Sequence, residues 1–144
     1  MATLIQNWQF WALMAAVFAA MTAILAKVGV EGTDPDLATW LRTLVVAFAL
    51  GLLVWGTGKL NGLSAISGRT ALFVVLSGLA TGASWLCYFR ALKLGNASQV
   101  APVDKLSVVF VAVFAALLLG ERLSALGWAG VGLIATGAVM VALG

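Results

Sequence analysis

The chain has 144 residues, 63% of them hydrophobic and 9% charged, with a formal net charge of +3. A soluble domain of this size carries about 25% charged residues, so the composition excludes a water-covered globular domain and predicts an all-α membrane protein. Histidine, the usual general base and metal ligand, is absent, and the single Cys87 can form neither an internal disulfide nor a zinc site. No enzyme active site, metal, cofactor or nucleic-acid partner is therefore expected.

A membrane-spanning helix takes about 20 residues, so five spans use about 100 and leave about 44 for four connections and two ends. The chain reads as one domain over 1–144, with helices at about 8–27, 35–57, 70–89, 99–119 and 125–143. The first apolar run, from Trp8, lacks a basic leader and is longer than a signal-peptide core, so it is expected to stay as an uncleaved helix. It is followed by a turn-rich stretch from Gly29 to Asp36. Here Asp34 suits a helix cap, Pro35 the first helical position and Asp36 the positive helix start.

The second helix should end near Thr57, before the longest loop, Gly58 to Arg69, which holds three glycines and two cations. The third span should run from Thr70 to Tyr88 or slightly beyond. Arg90, Lys93, Gly95, Asn96 and Ser98 then mark a crossing of the interface into the fourth span, and Gly120 to Ser124 forms a tight turn before the last. Helices are the only spanning choice, because lipid leaves the edges of an open sheet unpaired. The strict apolar and polar alternation of a membrane barrel is missing.

With five spans, Lys59, Arg69 and Arg122 lie on one side of the membrane, and Lys27, Arg90 and Lys93 on the other. Arg42 and Lys105 sit inside helices near the second side and make the balance three to five. Topology follows a clear excess of Lys and Arg. So weak a bias predicts insertion in both orientations, the alternative being a single one with the five-cation side in the cytoplasm.

Charges within spans usually face a protein interior or a water-filled cavity. Lys27 closes the first helix, where snorkelling to the interface is one explanation. Arg42 lies seven residues past Pro35, about 10 Å along the helix, and Asp104 and Lys105 lie about 8 Å into the fourth. The topology brings all four to one side. Asp104 is the one acid among them, so it is expected to pair with Arg42 or Lys27. Neighbouring helical residues diverge by about 100°, which leaves Lys105 facing an aqueous path. The cluster then forms an anion-attracting vestibule; a salt-bridged fold staple with no transport role is the alternative.

Pro102 removes a backbone donor early in the fourth helix and either kinks it or begins it. A broken helix beside charges points to a transporter substrate site. Ser84, Trp85 and Tyr88 make a polar and aromatic stripe on the third helix, suited to lining a path or to an interfacial belt. Small residues mark packing faces: Gly78 and Gly82 on the third helix, and Gly130, Gly132, Thr136 and Gly137 on the last. The last helix carries no charge and is the candidate contact with a second subunit.

Three stretches carry a resemblance: Tyr88 to Pro102, Leu117-Leu-Leu-Gly-Glu-Arg-Leu123, and Gly127-Trp-Ala-Gly-Val-Gly-Leu-Ile-Ala-Thr-Gly137. With Trp40-Leu-Arg-Thr43, they make the chain resemble a single EamA-type domain of the drug/metabolite transporter superfamily. The resemblance covers essentially the whole chain and implies an EamA-like bundle of five helices. Most members of that superfamily look like two such domains in one chain, with inverted halves. A single domain with an odd number of spans would need a second copy of itself, upside down, as an antiparallel homodimer. Together these features predict a multi-pass protein of the cell membrane that moves a small-molecule substrate by alternating access. Metabolite or amino-acid export is implied by the resemblance alone. A cation or drug antiporter of the small multidrug-resistance kind is a second possibility, although those resemble four-helix chains with an acid in the first helix. A non-transporting assembly or scaffold subunit is a third.

Overall fold

The computed structural model describes residues 7–144, so the first six residues of the expected 1–144 domain lie outside it. The described residues form helices and no strand. Helix α1 runs Trp8–Glu31, α2 Pro35–Gly56, and α3 Gly68–Leu94. The fourth span, Ala97–Leu119, is divided into α4 (Ala97–Asp104), α5 (Ser107–Phe114) and a π-helical turn over Ala115–Leu119. Helix α6 is Ala125–Leu143. The five spans hold 24, 22, 27, 23 and 19 residues, each long and apolar enough to cross a bilayer.

Two helix starts follow directly from local chemistry. Asp34 stands in extended backbone, and its Oδ1 accepts from the N–H groups of Asp36 and Leu37 at 3.0 and 3.1 Å, with Pro35 at the first helical position. Ser124 caps α6 in the same way, its Oγ accepting from the Gly127 N–H at 3.1 Å. Each satisfies orphan donors of a first turn.

Other boundaries move outward. Helix α1 continues to Glu31, about one turn beyond expectation, and α3 continues to Leu94 through Arg90 and Lys93. Both extensions have the same cause, described below: cations on one helix hold the closing turn of the other. The Gly58 to Arg69 loop contains a 3-10 helix over Lys59–Ala65, entered through Gly58 at φ +68°. The fourth span is not continuous. It breaks at Lys105 and Leu106, where the backbone tightens to i→i−3 bonds: Leu106 to Val103, Val108 to Lys105, and Val109 to Leu106, at 2.9–3.0 Å. Pro102 lies three residues before the break, and the donor it lacks is the one that would reach back to Ser98 in the preceding turn.

The chain divides into two compact units, one of Ala26–Lys93, the other of the residues up to Leu25 with Leu94–Gly144. In the first unit the buried side chains are Ala26, Val30, Thr39, Phe89 and Leu92. In the second, α4 and α5 both pack against α6, with Ala112 and Ala138 buried. Most large apolar side chains of the spans are exposed, as lipid-facing surfaces require.

Candidate functional site

Within the Ala26–Lys93 unit, Lys27, Asp36, Arg90 and Lys93 gather where the end of α1, the start of α2 and the end of α3 meet. Lys27, on α1, donates from Nζ to the Leu92 carbonyl of α3 at 2.9 Å. Lys93, on α3, donates in return to the carbonyls of Val30 and Glu31 at 2.8 and 2.6 Å, and to Thr33 at 3.3 Å. Each ammonium thus sits at the negative end of the opposite helix, where the last carbonyls lack intrahelical partners. Beside them Arg90 grips Asp36 with two parallel bonds, Nε to Oδ1 at 3.0 Å and Nη2 to Oδ2 at 2.7 Å, joining α3 to the first turn of α2.

Arg42 lies deeper, about 10 Å along α2 from Pro35 at 1.5 Å per residue. Its guanidinium covers the Trp85 ring at 4.1 Å from the centroid and the Phe89 ring at 5.6 Å. Trp85 and Phe89 are one turn apart and share a face of α3, so the two rings make a wall for the cation. Among the described residues Arg42 makes no ion pair. A guanidinium held against aromatic rings still carries five N–H donors, which an anion can engage. Tyr88 is half-buried beside this wall, and Ser84 is exposed.

Pro102, Asp104 and Lys105 belong to the other unit, at the break in the fourth span. The expected geometry there is corrected. Lys105 Nζ donates to Asp104 Oδ2 at 3.0 Å, so these neighbours pair with each other. The divergence of adjacent helical side chains assumes a continuing helix, whereas α4 ends at Asp104 and Lys105 has ψ −6°. A four-carbon stem can then fold back on the preceding carboxylate. Thr136 bonds the Gly132 carbonyl of its own helix at 2.9 Å. A Cβ built on Gly78, Gly82, Gly130, Gly132 or Gly137 would meet no neighbour within 4 Å, so all five glycines stand in open space.

Reasoning from sequence missed the Asp36–Arg90 pair, the Lys93 clamp and Phe89. The partners lie 47 to 63 residues apart, beyond any local signal. The available clue was topological: five alternating spans put the α2 start and the α3 end on one side.

Five apolar helices with charged groups inside and between them define the class, a multi-pass helical membrane protein. The chain belongs to the EamA-like transporter family, whose profile matches residues 6–143. It is 56% identical over 138 residues to a Sinorhizobium sp protein described as an uncharacterized transporter in cobO 3'region, a match covering 96% of this chain and 98% of that relative. No solved structure matches the chain significantly. Family and relative both point to a membrane transporter and away from an enzyme.

Proposed function

We propose that the chain exports small metabolites of the amino-acid class, binding the anionic group at Arg42 and working by alternating access as an antiparallel homodimer in the cell membrane. The observation that carries the binding site is Arg42, held against Trp85 and Phe89 inside a span with no ion pair among the described residues. A guanidinium at that depth favours an anion strongly, because little water competes for it. Tyr88 and Ser84 add polar contacts beside it. Pro102 and the Asp104–Lys105 pair stand at the break of the fourth span, the kind of discontinuity that lets half-helices shift during a transport cycle.

The dimer rests on two further observations. Five spans leave the ends of one copy on opposite sides, and the three-to-five distribution of Lys and Arg resists neither orientation. The glycine faces on α3 and α6 are open in the single chain, as a close helix approach from a second copy requires. Flux of labelled amino acids from proteoliposomes tests the function. Wild type should carry at least one of them. Arg42→Ala should abolish that flux, and Asp104→Asn and Lys105→Ala should slow it. Normal flux by Arg42→Ala would remove the site from Arg42.

A further inference from the structure

The connection between α2 and α3 has a feature that transport does not use. Its 3-10 helix, Lys59–Ala65, repeats every three residues, so side chains three apart eclipse into ridges. Leu60 and Leu63 form one ridge, continued by Ile66, and all three are exposed. Asn61 and Ser64 form the next, with Ser64 Oγ turned back to the Asn61 carbonyl at 3.5 Å. The segment is therefore amphipathic with a period of three. Spans that end at Gly56 and resume at Gly68 hold it at the boundary between hydrocarbon and water.

Its charge has one sign. Lys59 and Arg69 flank the segment, and the sequence holds no Asp or Glu from residue 37 to residue 103. Among the described residues neither cation makes an ion pair or a side-chain hydrogen bond. In contrast, Lys27, Arg90, Lys93 and Lys105 all have partners. Directly below Arg69, a shallow cavity of about 470 Å³ runs along one face of α3, lined by Arg69, Thr70, Phe73, Val74 and Ser77. The cation stands at its boundary end, and Phe73 and Val74 lie one turn further into the span. This is the outline of an anionic headgroup above an acyl chain.

We infer that Lys59–Ser77 is a binding site for an anionic phospholipid. The lipid phosphate sits at Arg69 within the field of Lys59, and one chain lies along Phe73 and Val74. The Leu60 and Leu63 ridge sinks into the acyl boundary, leaving Asn61 and Ser64 in water. Because it depends on one connection alone, the site is present whichever way the chain inserts.

Native mass spectrometry of the full-length protein, equilibrated with equal phosphatidylglycerol and phosphatidylcholine, reads the selectivity. Wild type should carry phosphatidylglycerol over phosphatidylcholine by about thirtyfold, the factor for two basic side chains at about 1 kcal/mol each at an anionic surface. The preference should vanish in Lys59→Gln/Arg69→Gln and persist in Lys59→Arg/Arg69→Lys and in Arg122→Gln. An unselective wild type, or selectivity that survives loss of both cations, overturns the assignment. A second measurement leaves the charges in place. Spin labels at Leu60→Cys, Asn61→Cys, Leu63→Cys and Ser64→Cys, on a Cys87→Ser background, should alternate. Positions 60 and 63 should be open to oxygen, and 61 and 64 to a water-soluble relaxant. Equal water access at all four sites would contradict an interfacial ridge.

Discussion

Replacing Lys93 by Met keeps the aliphatic stem and removes the ammonium that closes α1. Two of its bonds are short, 2.8 Å to Val30 and 2.6 Å to Glu31, and the third, 3.3 Å to Thr33, is too long to add much. Hydrogen bonds to a charged group contribute about 1.5–3 kcal/mol each. Lys93 is exposed, so water replaces part of each bond, and about 1 kcal/mol apiece is the appropriate scale. The loss is then about 2 kcal/mol, or about thirtyfold in the folding equilibrium. For a chain of this length it lowers Tm by about 4–8 °C. Thermal unfolding of the purified protein in detergent measures that directly. Amide exchange at Thr33, whose N–H bonds Val30 at 3.3 Å, should quicken by a comparable factor as the last turn frays. Lys93→Arg keeps a donor and should lose less than half as much. An unchanged Tm for Lys93→Met, or an Arg variant as unstable as the Met variant, would refute the clamp.

Three further outcomes follow from the same geometry. Arg42→Lys retains the charge but loses the guanidinium contact with the Trp85 ring, so flux should fall about fivefold, for a cation–π contact of about 1 kcal/mol. Trp85→Leu should add nothing in that background, and full additivity would argue that the two groups act apart. Exchanging the Asp36 and Arg90 charges should restore the thermal stability that either single reversal loses, and a swap no better than the singles would deny the pair a role. Ser124→Ala removes the α6 cap and should lower stability by about 1 kcal/mol in the same melts, with Ser124→Asp close to wild type.

The spans were legible in the sequence because hydrophobic length is a property of the chain alone, and so was the cap at Asp34, which acts within three residues. The break in the fourth span was half legible. Pro102 announced a lost donor, but only the backbone shows that the helix closes at Asp104 and lets Lys105 turn back. The ends of α1 and α3 lie beyond the local exit signals at Gly29 and Arg90, because Lys93 and Lys27 hold those turns from another helix. At Arg42 depth and charge were legible without a partner. Its partners are aromatic rings instead of a carboxylate: Trp85 belongs to the polar and aromatic stripe of α3, and Phe89, one turn beyond it, carries no polar signal.

The pairing of inverted copies is tested most directly by labelling Ser64→Cys, in a Cys87→Ser background, with an impermeant maleimide. The reagent is applied to right-side-out vesicles and to inverted ones. Two antiparallel copies predict that each preparation reacts to about half of the total. Reaction confined to one side of the membrane would contradict the inverted pair and, with it, the symmetric alternating-access cycle.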